Sequence, residues 1–240
     1  MIDPIGSESA FPAEPVEPRV FIEDVIPALF ADLDLTPAQR DVELRLGIVL
    51  QGESGGDPGG DTGVDSGGEW TLHFVDGELG IETFRSPDCD LTLVQRVADW
   101  RAALWSGKPA FVADALQVLF RSPGSRPTSA LQASMLVPDP RALEELRGLR
   151  GLLEIRVEAS DRERSGDGSG DWRLGIRLGP GPIPAEADAT IELGDAQAEA
   201  IHRGQLHPFE ALMTGELRLE GDLGLIFQIQ AIAMTASLPR

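Results

Sequence analysis

The chain has 240 residues, of which 42% are hydrophobic, and its forty acidic and twenty basic residues give a formal net charge of −20. A charge of that sign repels phosphate backbones, so we expect no nucleic-acid partner. No apolar run reaches the roughly 20 residues of a membrane helix, so no transmembrane segment is expected. The N-terminus lacks the pattern of a secretory signal and the single Cys89 cannot form an internal disulfide, which together favour a cytoplasmic protein.

The first half of the chain predicts a leader, a helix and a series of strands. Residues 1–19 contain four prolines and several acids, which predicts a disordered leader. Apolar residues at helical spacing over 21–33 predict a helix kinked at Pro27. Gly107 is expected to end a second helix. The other predicted elements are strands at 42–50, 70–74, 79–84, 91–93 and 118–120, a Gly/Asp-rich loop at 52–68, an Asp76-Gly77 hairpin turn, a linker at 123–127 and a helix at 129–136.

The second half predicts similar elements in a similar order. They are a helix at 141–149, strands at 152–159, 172–178, 189–193 and 216–220, a loop at 160–170, a helix capped by Asp195 and ending at Gly204, and a helix opened by Pro208. Residues 223–234 fit two patterns, because Leu225, Phe227 and Ile229 alternate as in a strand while the segment is long for one. Asp222 is a plausible cap, so we predict a helix there.

These two series of elements read as one pattern written twice. A Gly/Asp-rich loop ends at Trp70 in the first half and at Trp172 in the second, 102 residues later. Thr92 and Thr190 follow an aspartate in matching strands and are 98 residues apart. Each half then has a helix that ends in glycine and a restart at proline. The sequence therefore predicts two tandem domains, at 20–136 and 137–240, after the leader.

The second half combines three motifs in one order: Trp172-Arg173-Leu174, then Asp188-Ala189-Thr190-Ile191, then residues 208–222, which end in a Gly-x-Leu-x-Leu-x-Gly-Asp run. This arrangement, which covers most of 150–235, resembles the sterol carrier protein 2 family of lipid-binding domains. The first half is similar more loosely and departs at Phe120-Arg121-Ser122-Pro123. The resemblance implies an α+β fold in which each domain has a curved, mainly antiparallel sheet covered by helices around an apolar tunnel.

What the resemblance implies for function is non-enzymatic binding or transfer of an apolar molecule, namely a sterol, fatty acid, acyl-CoA or phospholipid. The tunnel is expected in the second domain. Its candidate lining residues are the large apolar ones of the last two helices: Phe209, Leu212, Met213, Leu225, Phe227, Ile229 and Ile232. A structural or dimerisation module without a working pocket is the alternative, so a protein partner or homodimer stays open. An enzyme with a lipid-like substrate is a third, less supported hypothesis.

No residue pattern indicates a catalytic centre, a metal or a cofactor. His202 and His207 lie five apart without a cysteine nearby, which does not fit a zinc site. The aspartates at 57, 61 and 65 recur every four residues, a spacing that fits neither an EF-hand nor a nonapeptide calcium repeat. Cys89 is expected to be a buried, inert thiol.

Overall fold

Eight strands in the described part of the computed structural model form one continuous sheet. The described residues are 11–31, 35, 37–52, 66–109, 140–159 and 170–236. The strands are β1 (Leu44–Gln51), β2 (Gly68–Val75), β3 (Glu78–Glu82), β4 (Leu91–Arg96), β5 (Gly151–Glu158), β6 (Trp172–Leu178), β7 (Ala189–Gly194) and β8 (Leu217–Gly221). They lie in the order β3-β2-β1-β4-β6-β5-β7-β8. The β1–β4 and β5–β7 pairs are parallel and the other five are antiparallel.

Helices in the same ranges complete an α+β fold, as predicted. Helix α1 consists of α-helical Pro18–Val20, a π-helical turn at Phe21–Val25 and α-helical Ile26–Ala31. Helix α3 begins as Val97–Arg101 and continues as π-helical Ala102–Ser106. The others are α2 (Pro37–Arg40), α4 (Pro140–Gly148), α5 (Asp195–His202), α6 (Pro208–Thr214) and α7 (Leu223–Ala236). None of the helices in these ranges has the length and hydropathy to cross a membrane.

The sheet has one apolar face and one polar face. Successive side chains of a strand point to opposite sides, so Leu153, Ile155 and Val157 of β5 share the face opposite that of Arg156. Helices α1 and α3 pack on the apolar face of the first four strands, and α5 and α7 pack on that of the last four. Burial of these alternating positions is what holds helices and sheet together.

The two halves repeat one strand arrangement. In β2-β1-β4 and again in β6-β5-β7, a central strand has an antiparallel neighbour on one side and a parallel neighbour on the other. The Arg45 N–H donates to Asp90 Oδ2 (2.9 Å), and the Asp90 N–H donates back to the Arg45 carbonyl (2.9 Å). Leu152 and Asp188 make the same pair of bonds, at 2.8 and 2.9 Å.

The halves meet edge to edge, whereas the sequence predicted a separate sheet in each domain. Strand β4 pairs with β6 over Leu91↔Leu178 to Val94↔Gly175. A free strand edge presents unpaired N–H and C=O groups, and here each half pairs the edge of the other. The prediction of one sheet per domain is therefore corrected to one sheet shared by both halves.

A buried polar cluster fastens this junction. Nε and Nη2 of Arg96 donate to Oδ2 and Oδ1 of Asp99 at 2.6 and 2.8 Å, and Arg96 also donates to the Asp171 carbonyl. From the second half, Trp172 Nε1 donates to the Asp99 carbonyl (2.9 Å) and the Arg173 N–H donates to Asp99 Oδ2 (3.3 Å). Burial raises the pKa of Asp99, and the hydrogen bonds and charge of Arg96 oppose that rise.

The expected disorder of residues 1–19 does not extend to residues 11–19. Phe11 is buried, with its ring centroid 5.7 Å from those of Phe21 and Trp105. Trp105 Nε1 donates to the Pro12 carbonyl (3.1 Å), and α1 begins at Pro18. Burial of an aromatic ring offsets the entropy of ordering this short segment. Residues 1–10 lie outside the described part of the chain.

Most predicted elements are found close to their expected bounds. Asp76 (φ 52°) and Gly77 (φ 77°) form the expected hairpin turn, and Gly107 (φ 69°) ends α3. Helix α1 continues through Pro27, and its π-helical turn ends at Val25, just before that proline. Gly194, not Asp195, is the residue that precedes α5, and it makes no side-chain cap. The predicted elements at 118–120, 123–127 and 129–136, and most of both Gly/Asp-rich loops, fall outside the described residues.

Candidate functional site

Helices α6 and α7 stand on either side of β8 in the chain, and α6 packs on that strand. Pro208 opens α6, where its missing N–H costs nothing, and the Phe209 N–H donates to His207 Nδ1 (3.2 Å). Gly215 ends the helix in the left-handed conformation (φ 77°). These signals fix both ends of a helix that is only seven residues long.

A close backbone contact fixes the start of α7. Gly221 has φ 78°, and a Cβ at this position would lie 2.2 Å from the Asp188 carbonyl oxygen. The Asp222 N–H donates to that same oxygen (2.8 Å), and Asp222 Oδ1 accepts the Leu225 N–H (3.1 Å) as the predicted cap. The Gly-Asp pair therefore sets where α7 leaves the sheet.

The inner side of α7 forms part of the core of the second half. Leu225 and Ile226 are buried against a cluster that includes Leu153 and Leu178, and Ile229 packs partly buried on it. Ile232 is buried one turn further along. Burial of side chains of this size stabilises the fold by about 1.5–3 kcal/mol each.

The outer side of α6 and α7 is also apolar, which is unusual for a surface. Phe209 and Met213 are 65% and 72% exposed, and Leu223 and Phe227 are 43% and 53% exposed. Each pair has i,i+4 spacing, so its members lie on one face of their helix. In α6 the buried residue is the small Ala211, which leaves the large side chains outside. Glu210 in α6 and Gln228 and Gln230 in α7 are also exposed, so the four apolar side chains lie among polar ones. Large apolar side chains grouped on a surface in this way commonly mark a binding site.

The seven residues predicted to line a tunnel thus divide between two environments. Leu225 and Ile229 pack on the core of the second half, Ile232 is buried and Leu212 is half-buried. Phe209, Met213 and Phe227 are exposed. Their role as lining residues stays a prediction. Sequence reasoning did not include Leu223, although its i,i+4 spacing to Phe227 was a visible signal.

Acidic side chains surround the outward apolar residues. We call Asp188, Glu210, Glu216 and Asp222 the rim carboxylates; all four are exposed and none forms an ion pair in the described part of the chain. Glu216 turns back toward α6, because its Oε2 lies 3.2 Å from Thr214 Oγ1. One turn earlier on that helix is Glu210, so two of the rim carboxylates share one side of α6.

The nearest cations along the chain are engaged elsewhere. Arg203 pairs with Glu199, and Arg218 lies 3.7 Å from Glu192 on the polar face of the sheet. A hydrogen bond with Glu158 and partial burial raise the pKa of Glu192, and the charge of Arg218 opposes them. Near the start of α7, Arg150 and Arg177 lie beside Gly151 and donate to backbone carbonyl groups. The exposed side of α6, with Glu210 and Glu216, is consequently negative.

Two other features do not coincide with this site. A cleft of about 320 Å³ lies in the first half between Phe30, Arg40, Asp76 and Glu78. Cys89 is fully buried with its Sγ 3.8 Å from Thr71 Oγ1, as the sequence predicted. No group of three metal-ligating side chains comes together in the described ranges, and the aspartates at 57, 61 and 65 lie outside them.

Comparison with known proteins identifies a domain that contains this site. Residues 130–234 match the SCP-2 sterol transfer family. Hydroxysteroid dehydrogenase-like protein 2 of Xenopus tropicalis is 29% identical over 73 residues, which are 28% of this chain and 18% of that protein. Sterol carrier protein 2 of Rattus norvegicus is 23% identical over 95 residues, 38% of this chain and 17% of that protein. The chain thus spans less than a fifth of the length of these relatives.

Two solved structures of similar proteins come from insects. Sterol carrier protein domain 2 of Helicoverpa armigera is 18% identical, with a TM-score of 0.28, and the match covers 39% of this chain and 73% of that one. Sterol carrier protein 2 like 2 of Aedes aegypti is 16% identical, with a TM-score of 0.29 and coverage of 54% and 97%. The part of this chain that matches the SCP-2 sterol transfer family, residues 130–234, contains helices α6 and α7.

Proposed function

We propose that the second half binds and transfers an apolar small molecule of the lipid class, held by helices α6 and α7. The observation that carries this function is the apolar character of α7 on both sides. Its inner residues pack on the sheet, while Leu223 and Phe227 stay exposed, within the region that matches a sterol transfer family. A bound apolar molecule would cover surface that otherwise contacts water.

The energetics suit a carrier that must also release its ligand. Burial of about 15 methylene groups at about 0.8 kcal/mol each contributes roughly 12 kcal/mol. Association costs of about 4–15 kcal/mol offset most of this gain. The remaining affinity falls in the weak to micromolar range, which permits repeated loading and unloading.

Helix α6 is the element best suited to move for ligand entry. Among its residues only Ala211 is buried, and it has just two turns. Few buried apolar contacts mean a low free energy of local opening. A shift of α6 would turn Phe209 and Met213 toward a ligand at little cost, whereas α7 is held by Leu225 and Ile226 in the core.

Native mass spectrometry of the purified chain, before and after delipidation, tests this function. We expect one lipid-sized adduct per chain that is lost on delipidation and restored by an added long-chain lipid. The variant Phe209→Ser/Met213→Ser should lose the adduct without unfolding, since both side chains are exposed. Phe84→Ser is the matched control, because Phe84 is 57% exposed in the first half. Absence of any adduct, together with an unchanged thermal unfolding temperature on lipid addition, would refute the proposed lipid binding.

The second candidate function is a protein-interaction or dimerisation module. The exposed side chains of α6 and α7 favour it equally, since apolar surface also marks protein interfaces. A chain that binds no lipid but sediments as a dimer, and becomes a monomer on Phe209→Ser/Met213→Ser, would support this function instead.

We further propose that the two halves arose by duplication and that both are non-enzymatic parts of a cytoplasmic protein. The repeated Asp90 and Asp188 hydrogen bonds and the repeated strand arrangement support duplication. No catalytic constellation in the sequence supports an enzyme, and a lone, buried Cys89 suits a reducing compartment. Assay of the purified chain for esterase and dehydrogenase turnover tests the non-enzymatic part.

A further inference from the structure

We infer, on the basis of the proposed function, that the ligand carries no anionic group at its polar end, so that neutral lipids bind in preference to phosphate-bearing ones and acyl-CoAs. The inference comes from the charge around the outward apolar residues, which the comparisons do not address. It divides the broad class of apolar ligands into two chemically distinct groups.

The apolar surface and the rim carboxylates belong to the same two helices. Phe209 and Glu210 are neighbours in α6, and Glu216 folds back onto the Thr214 end of that helix. Asp188 and Asp222 lie where α7 begins, next to Leu223, and the Asp188 carbonyl accepts the Asp222 N–H. A ligand whose chain lies on these apolar residues therefore has its polar end near several negative charges.

The described cations near the two helices already have partners. Arg150 and Arg177 lie beside Gly151, near the start of α7, and donate to backbone carbonyl groups. Anionic headgroups are recognised by arginine, by lysine or by helix N-termini. Arg203 and Arg218 already face Glu199 and Glu192. The N-terminus of α6 is occupied by His207, whose Nδ1 accepts the Phe209 N–H.

Coulomb's law gives the expected size of the discrimination. Two unit charges about 10 Å apart in water change an affinity by about twofold. A phosphate monoester carries about −1.5 to −2 charges, so repulsion from two carboxylates at this distance multiplies to roughly five- to tenfold at low ionic strength. Salt weakens the effect, because the Debye length is about 10 Å at 0.1 M. A neutral lipid carries no net charge, so this repulsion does not change its affinity.

Two lipids that differ only in the phosphate provide the test. Palmitoyl monoacylglycerol and palmitoyl lysophosphatidic acid share one chain and one ester, and each is used below its critical micelle concentration. Displacement of the neutral dye Nile red from the full-length chain, at about 10 mM and about 200 mM salt, measures both affinities. We expect lysophosphatidic acid to bind at least about fivefold more weakly at low salt, with a smaller difference at high salt.

Charge-neutralising variants test whether the rim carboxylates cause the difference in affinity between the two lipids. Glu210→Gln/Glu216→Gln should strengthen lysophosphatidic acid binding about fivefold at low salt and leave monoacylglycerol binding unchanged. The control is Glu78→Gln/Glu82→Gln, which removes the same charge from exposed positions of β3 at the opposite edge of the sheet. Seven strand spacings of about 4.8 Å put this edge beyond the Debye length. The control should change neither affinity.

The outcomes separate this inference from the proposed function. Equal affinity for the two lipids, or a deficit that Glu210→Gln/Glu216→Gln does not reduce, overturns the inference but leaves lipid binding standing. An equal gain in the Glu78→Gln/Glu82→Gln control also overturns it, because the net charge and not the rim would then be responsible. Binding of neither lipid overturns the proposed function and the inference with it.

Discussion

Replacement of Arg96 by methionine should destabilise the junction between the halves more than replacement of its partner Asp99 by asparagine. Asp99 is 6% exposed, and Arg96 supplies its two shortest hydrogen bonds. Without Arg96, the buried carboxylate would keep one direct donor, the Arg173 N–H at 3.3 Å. Asparagine at position 99 would carry no charge and could still accept from Arg96.

The magnitude follows from the geometry of the pair. Removal of one partner from a buried ion pair costs about 3–5 kcal/mol. The Arg96 side chain is 36% exposed, so water already screens part of the interaction, and we expect about 2–3 kcal/mol for Arg96→Met. Asp99→Asn should cost about 1 kcal/mol, since it loses charge assistance but removes a desolvated charge. Arg19→Met, in an exposed pair with Glu23, is the matched control at about 0.5 kcal/mol or less.

The pH dependence gives a second, independent signature. Burial raises the pKa of Asp99 in the folded protein, and loss of Arg96 raises it further. Because the folded-state pKa is raised, ionised Asp99 lowers the free energy of unfolding. This loss is absent below the unfolded-state pKa and is complete once the pH has risen above the folded-state pKa. The deficit of Arg96→Met should therefore be largest at neutral pH and shrink as the pH falls toward the unfolded-state pKa of aspartate, about 3.9.

Urea unfolding followed by tryptophan fluorescence measures these differences, because Trp172 donates to the Asp99 carbonyl and reports on the junction. The series needs wild type, Arg96→Met, Asp99→Asn, the double variant and Arg19→Met, each at two pH values. An Asp99→Asn deficit as large as that of Arg96→Met, or an Arg96→Met deficit that is the same at both pH values, would refute the reasoning.

Two further predictions concern the second half. A hydrogen bond with Glu158 and partial burial raise the pKa of Glu192, so ionised Glu192 lowers the stability of the fold above its folded-state pKa. Glu192→Gln should therefore stabilise the fold at pH 7 by about 0.2–1 kcal/mol, and this gain should vanish below about pH 4. A loss of stability at pH 7 would contradict the prediction. Gly221→Ala should lower the thermal unfolding temperature clearly more than Gly215→Ala. Both glycines have φ near 77°, but only at position 221 would an added Cβ lie 2.2 Å from a backbone oxygen. Equal losses would contradict this prediction.

Local patterns determined most elements of the fold. The Asp76-Gly77 pair permits positive φ and so specified its hairpin, and alternation from Trp172 to Leu178 specified β6 within its observed bounds. The Asp222 cap resolved the ambiguous last segment in favour of a helix. Short-range signals of this kind work because neighbouring residues alone decide the backbone conformation.

The features that the sequence did not predict depend on contacts between residues far apart in the chain. Phe11 looked like part of a disordered leader, but its ring is buried beside Trp105, more than ninety residues later in the chain. The Asp99 carboxylate bonds to groups on both sides of the junction, which no local pattern announces.

By itself, the sequence predicted the α+β class, most helices and strands of both halves, and a resemblance of the second half to the sterol carrier protein 2 family. Only the tertiary structure decided that β4 and β6 join the halves into one sheet, because pairing of two strand edges depends on both at once. It also decided that α6 turns Ala211 inward and Phe209 outward. The surface on which a short helix packs decides which of its sides is buried. The spacing of apolar residues along the chain does not reveal that surface.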